Sequence, residues 1–188
     1  MRRIFTLSLS FLLLFAFSLY AQEYAHQKWQ VEGSFGTSTP ISDLNKVTNA
    51  GYSYSGAILY SVQNNLVLGI EQSYSNMPVV TEEDSRTTST NSVLATSTSF
   101  VGKWFLTGNQ TFMPYLRGGA GIGSEGATNG DIRVFGSRQF VYAFGGGFKY
   151  NLNSKHFGLS GEALNNNVDK NFKFVQGRFL VGYYFNIE

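Results

Sequence analysis

The chain has 188 residues, only 14% of them charged, with 16% aromatic and 21 glycines. That length holds one domain and one closed sheet, and a mean hydropathy of −0.11 excludes a bundle of membrane-spanning helices. The absence of cysteine excludes disulfides, thiolate metal sites and a lipid anchor on cysteine.

The first residues read as an address. Met1-Arg2-Arg3 is basic, Ile4 to Leu19 is apolar, and Leu19-Tyr20-Ala21 ends on a small residue before Gln22, the pattern of a secretory signal peptide. Residues 1–21 are therefore expected to be cleaved, leaving 22–188 as the mature domain; an uncleaved anchor would call for a longer apolar run. The signal holds two of the 14 basic residues and none of the 12 acidic ones, so the mature chain carries twelve of each. This neutrality leaves no case for nucleic acid as a partner.

From Trp29 onward apolar and polar residues alternate with a period of two, which marks strands with two different faces. The first strand, Trp29 to Thr37, sets Trp29, Val31, Gly33 and Phe35 against Gln30, Glu32 and Ser34. After a long connection, Ser38 to Ala50, the second strand, Gly51 to Val62, sets Tyr52, Tyr54, Ile58 and Tyr60 against Ser53, Ser55, Ala57 and Ser61. Gln63-Asn64-Asn65 is a tight turn. The third strand, Leu66 to Ser75, sets Leu66, Leu68, Ile70 and Tyr74 against Glu71 and Ser73, and a polar stretch, Asn76 to Asn91, follows. The fourth, Ser92 to Phe105, sets Leu94, Phe100 and Trp104 against Ser97, Ser99 and Lys103, then turns at Thr107 to Gln110.

The fifth strand, Thr111 to Gly123, sets Phe112, Leu116, Ala120 and Ile122 against Tyr115 and Arg117. Pro114 lacks an N–H and predicts a bulge or a missing ladder bond. A Gly-rich polar connection, Ser124 to Arg133, leads to the sixth strand, Ser137 to Tyr150, with Phe140, Tyr142, Phe144, Phe148 and Tyr150 opposite Ala143, Gly145, Gly147 and Lys149. After the turn Asn151 to Ser154, the seventh, Lys155 to Ala163, sets Phe157, Leu159 and Ala163 against His156, Ser160 and Glu162. The loop Asn165 to Asn171 precedes the eighth, Val175 to Phe185, where Phe179, Val181, Tyr183 and Phe185 oppose Arg178, Leu180, Gly182 and Tyr184. This last strand is expected to close the sheet against the first.

Long connections alternate with short turns, the parity of bacterial outer-membrane barrels, and an even strand count puts both termini on the periplasmic side. The outward aromatics Trp29, Tyr60, Tyr74, Trp104, Phe112, Tyr150, Phe157, Tyr183 and Phe185 lie toward strand ends, as interfacial girdles do. A soluble barrel of the lipocalin kind would instead turn apolar residues inward.

Glu32, Glu71, Lys103, Arg117, Lys149, Glu162 and Arg178 all fall on the inward face. An eight-stranded barrel is only wide enough for its side chains, so these charges are expected to form a buried ion-pair network. A gated conduit that opens when the network rearranges is the alternative. His156, Ser160 and Glu162 invite a triad reading. Residues so spaced on one strand spread over about 13 to 20 Å, too far for mutual hydrogen bonds, and an interfacial or lumenal histidine is the simpler account. Glu82-Glu83-Asp84 lacks the alternating ligand spacing of a calcium loop. Gly118 to Gly123 and Gly145-Gly146-Gly147 precede no helix, so neither reads as a phosphate loop. No catalytic, cofactor or metal site is expected.

The signal ending Tyr20-Ala21-Gln22, the alternating strands and the closing Val181-Gly182-Tyr183-Tyr184-Phe185 resemble small eight-stranded outer-membrane proteins of the OmpA and OmpX kind, and more closely the outer-membrane β-barrel-domain proteins of Bacteroidetes-type bacteria. The resemblance implies an all-β, eight-stranded antiparallel up-and-down transmembrane barrel in the cell outer membrane, set among lipid and lipopolysaccharide and inserted by the barrel-assembly machinery. It implies a structural or surface-interaction role through the extracellular loops rather than catalysis. An accessory subunit of a larger outer-membrane complex and a minor transport conduit are the alternatives.

Overall fold

The structure, a computed structural model, describes residues 29–41, 45–79, 91–107, 111–129, 132–136, 138–152, 156–168 and 172–185. The expected signal peptide, residues 1–21, and the acidic run Glu82-Glu83-Asp84 lie outside the described residues.

The strands are β1 (Trp29–Ile41), β2 (Gly51–Gln63), β3 (Leu66–Pro78), β4 (Ser92–Phe105), β5 (Phe112–Asn129), β6 (Ile132–Phe135), β7 (Gln139–Asn151), β8 (Phe157–Asn167) and β9 (Lys173–Phe185). They pair antiparallel in the order β4-β3-β2-β1-β9-β8-β7-β5, and β4 pairs with β5, so eight strands close into a barrel. β1 meets β9 from Trp29↔Phe185 to Ile41↔Lys173, the closure expected of the last strand. A closed ladder leaves no strand edge in the wall, the condition on which a sheet can sit in hydrocarbon.

β6 stands outside this ring. It pairs only with the tip of β5, from Gly126↔Phe135 to Asn129↔Ile132, so the segment read as an irregular connection is partly a hairpin beyond the barrel. Other strands also outrun their sequence alternation: β1 continues to Ile41, β3 to Pro78 and β8 to Asn167. Ladder hydrogen bonds need only the backbone, and outside the lipid neither face demands apolar side chains. The β8–β9 connection thereby shrinks to Val168 to Phe172, no longer than Leu152 to His156 at the opposite end. What distinguishes the ends is the projection of strands past the apolar band. The end with the Asn64-Asn65 turn is called the turn end below, the other the loop end.

Pro114 causes no bulge. Its register is unbroken at Pro114↔Phe148, and it sits just past the last β4 pair, Phe105↔Tyr115, where its carbonyl accepts a 2.9 Å bond from the Leu106 N–H that it cannot return. A register shift falls instead between Ser61 and Gln63, beside the β2–β3 turn.

The wall separates into two faces as the alternation requires. Val31, Phe35, Ile58, Ile70, Phe100, Leu116, Phe144 and Phe179 are exposed outside, and Gln30, Glu32, Ser53, Glu71, Lys103, Arg117 and Arg178 are buried inside. At the turn end Trp29 meets Tyr60 edge-on at 5.0 Å and Phe112 stacks on Phe148 at 5.0 Å; nearer the loop end Tyr54 stacks on Tyr74 at 4.8 Å. Two residues depart from expectation. Leu94, read as outward, is fully buried near the loop end, because parity fixes the side of a residue and not whether another segment covers it. His156, read as inward, is exposed: it precedes β8, so strand alternation does not govern it, and its ring stacks on outward Tyr183 at 5.9 Å.

Candidate functional site

The interior is built in three layers. At the turn end Ala57, Leu59, Val67, Val101, Phe105, Met113 and Tyr115 form a buried cluster. Beside it Glu32 accepts hydrogen bonds from the Lys103 ammonium and the Gln30 amide. The Lys149 ammonium lies 4.1 Å from the Tyr184 ring centroid and 5.2 Å from that of Phe105. Two aromatic faces thus supply the attraction that a carboxylate gives elsewhere.

The middle layer is a belt of two acids and two bases from four strands: Glu71 on β3, Arg117 on β5, Glu162 on β8 and Arg178 on β9. Arg117 binds Glu71 Oε1 through Nη2 at 2.7 Å and Glu162 Oε1 through Nη1 at 3.0 Å. Arg178 reaches Glu71 Oε1 through Nη1 at 3.1 Å and Glu162 Oε1 through Nε at 2.8 Å. The Tyr115 hydroxyl donates to Glu162 Oε2 at 2.8 Å, and the Ser55 hydroxyl donates to Glu71 Oε2 at 3.2 Å. Each carboxylate therefore touches both guanidiniums and one hydroxyl, the multiple compensation that buried charge demands.

Glycine makes room for the belt. Each arginine faces a glycine on one side, Arg178 Gly36 on β1 and Arg117 Gly145 on β7, while on the other side its register partner is Glu162 or Lys103, respectively. At Gly145 an added Cβ would stand 1.9 Å from the Ala163 carbonyl oxygen, so β7 and β8 approach as closely as they do only because the side chain is missing.

The loop-end layer is made of small polar groups. The Ser38 hydroxyl donates to Ser75 Oγ at 3.1 Å, the Gln176 amide donates to the same oxygen at 2.8 Å, and the Asn166 amide donates to Gln176 Oε1 at 3.1 Å. Ser73, Ser97, Ala143, Asn166 and Phe174 border a small cavity here. Met77, Ala95, Val141, Val168, Phe172 and Phe174 form a buried apolar cluster at this end. Val168 and Phe172 belong to the β8–β9 connection, tied by a 3.0 Å bond from the Val168 N–H to the Phe172 carbonyl, and both turn inward. The sequence reading passed over them as loop, although two apolar residues in the polar run Asn165 to Lys173 were a signal of a buried contact.

All seven inward charges are thus buried, and six of them meet an opposite charge. Lys149 is the exception. The triad residues are not brought together: the His156 Nδ1 pairs with the Tyr184 carbonyl at 3.1 Å at the exposed turn end, while Glu162 is committed to two arginines inside. Among the described residues no group of three or more His, Cys, Asp or Glu is placed to hold a metal ion.

A closed barrel with an apolar outer band and its charge sheltered inside is the architecture of a membrane-spanning sheet. The sequence matches the outer membrane protein beta-barrel domain family over residues 9–185. The chain belongs to this family. Its fold is similar to that of Neisserial surface protein A, NspA, with a TM-score of 0.68 at 13% identity, covering 84% of this chain and 97% of that one. It is also similar to the N-terminal barrel domain of Pseudomonas aeruginosa OprF (TM-score 0.56, 17% identity, 85% and 98% covered). The attachment invasion locus protein Ail of Yersinia pestis is a third likeness (0.55, 16%, 86% and 100%). No curated protein matches the sequence. In an outer-membrane β-barrel the exposed band from Trp29 and Tyr60 to Tyr54 and Tyr74 is the lipid-facing surface, and the three layers fill its lumen.

Proposed function

We propose that this outer-membrane barrel is a sealed, non-catalytic scaffold, whose role is structural or is exerted by what its loop end presents to surface partners. One observation supports this reading: an apolar cluster is packed at each end of the lumen, with the ion-pair belt between them. Conduction needs a continuous polar path, and here the acids and bases of the belt are bonded to one another between two apolar clusters. In this reading residues 1–21 are removed on export, the barrel-assembly machinery inserts the mature chain among lipid and lipopolysaccharide, and both termini face the periplasm.

The test is conductance. The purified chain in planar bilayers is expected to give no sustained current, and a stable ohmic channel would overturn the sealed-scaffold reading in favour of a conduit. Gentle detergent extraction of native membranes addresses the accessory-subunit alternative. A barrel recovered without other proteins keeps the scaffold reading, whereas a stable heteromeric complex transfers the role from the loops to the wall.

A further inference from the structure

The lipid-facing wall has a polar interruption. Gln72 on β3 and Thr98 on β4 are register partners, both exposed on the outer face, and the Thr98 hydroxyl donates to Gln72 Oε1. Beside them and toward the turn end the wall is apolar and open to lipid, with Ile70 59% exposed, Phe100 58% and Ile122 53%, while toward the loop end the hydroxyls of Thr96 and Ser124 are bonded to each other at 3.1 Å. Among the described residues the Gln72 amide nitrogen has no acceptor, since the bond from Thr98 uses the oxygen. In hydrocarbon no water replaces that partner, so an amide placed there calls for another protein group.

The wall beside Gln72 is bare. Its partner on β2 is Gly56, which pairs in turn with Gly33 on β1. An added Cβ at either glycine would find nothing within 4 Å. The two positions form a notch between a ridge of Val31, Ile58 and Ile70 and a ridge of Phe35, Tyr54 and Tyr74.

We propose that this patch is where a second copy of the chain docks within the membrane. A carboxamide is both donor and acceptor, so two Gln72 side chains related by a twofold axis along the membrane normal can satisfy each other. The same axis sets β4 of one copy against β2 of its partner. Phe100, next to Thr98 on the outer face of β4, then meets the notch at Gly56 of the partner subunit. Close approach over small residues and hydrogen bonds between polar groups are what hold membrane segments together where lipid removes the hydrophobic drive. A lipid chain would fill the notch but leave the amide unanswered. The proposal is independent of the sealed-scaffold reading, because it concerns the wall and not the lumen.

Because the chain has no cysteine, single replacements report without background. I70C, on the same outer face of β3 and keeping Gln72, is expected to give a homodimer in phospholipid vesicles with a short bis-maleimide cross-linker, and F144C, on β7, none. Vesicles holding G56C and F100C copies together are expected to cross-link more than vesicles holding either alone. In the cysteine-free chain Gln72→Leu should lower the dimer fraction by about tenfold at fixed protein-to-lipid ratio, the scale of a pair of hydrogen bonds in a membrane, as counted by single-molecule photobleaching. Heat-modifiable migration establishes that each variant is folded, and these outward positions leave the lumen untouched. Equal cross-linking at positions 70 and 144, a Gln72→Leu chain that dimerises like the parent, or capture of a different protein by I70C in native membranes would each overturn the proposal.

Discussion

The two halves of the lumen are filled with different chemistry. Toward the turn end the inward side chains are large or charged, with Phe105, Met113, Tyr115, Lys103, Lys149 and Tyr184 buried against one another. Toward the loop end they are Ser38, Ser53, Ser73, Ser75, Ser97 and Ser99, joined by Gln176 and Asn166 and topped by the apolar cluster around Phe172 and Phe174. The belt of Glu71, Arg117, Glu162 and Arg178 lies between. A buried charge that loses its partner has no substitute, whereas a hydroxyl that loses one has several neighbours of the same kind. Sensitivity to substitution should therefore fall from the belt toward the loop end, and each experiment below tests that gradient.

The largest effect is expected at Arg178. Replacing it by Met leaves Glu71 and Glu162 to share Arg117 alone, and removing one member of a buried ionic cluster costs about 3 to 5 kcal/mol. Urea unfolding of the folded barrel in lipid vesicles would read this loss. A change below about 1 kcal/mol, the range of solvent-exposed pairs, would mean that water reaches the belt and that the two halves are not separated by it.

A charge on the other side of the wall should come next. Phe144→Arg puts a cation on an exposed, lipid-facing position of β7, where the penalty near the midplane is about 2 to 4 kcal/mol. Ser97 lies inward beside the small loop-end cavity, and charge there should be better tolerated. Equal tolerance at the two sites would show the faces to be assigned wrongly.

How much of this was legible in the sequence depends on where lipid imposes a contrast. In β7 every second residue from Phe140 to Tyr150 apart from Gly146 is a large aromatic, so the strand, its outward face and inward Lys149 could all be read directly. The identity of the inward charges was legible for the same reason. Their pairing was not: the bond from Arg178 to Glu71 joins residues 107 apart, and which strands bring their charges to one height depends on the stagger of the closed sheet. Beyond the lipid the contrast disappears. The β5–β6 hairpin, the inward turn of Val168 and Phe172, the burial of Leu94 and the outward placement of His156 were missed there, because packing between segments decided them.

Glycine gives a finer contrast between inside and outside. Gly145 faces the lumen, and Gly145→Ala must displace the Ala163 carbonyl, so an overpacking penalty of about 1 to 3 kcal/mol is expected. Gly161, one strand away on the lipid face, has nothing within 4 Å of an added Cβ, and Gly161→Ala should stay within about 0.5 kcal/mol of the parent. If both substitutions unfold the barrel equally, curvature and not local contact is what these glycines supply.

Among the polar and charged groups of the lumen the smallest effect is expected at Ser75, and it bears most directly on the gradient. Its oxygen accepts from both Ser38 and Gln176, so Ser75→Ala removes two hydrogen bonds from buried donors. Were each donor stranded, the penalty would be about 1 to 3 kcal/mol apiece. The loop-end layer argues for less, because the cavity bordered by Ser73, Ser97 and Asn166 gives water a place to enter and the serines can turn to other acceptors. A loss of about 1 kcal/mol, one ordinary hydrogen bond, is therefore expected from the same urea titration. A loss as large as that of Arg178→Met would mean that the serine layer is as rigidly committed as the belt, and the lumen would then be a single cooperative network from the turn end to the loop end.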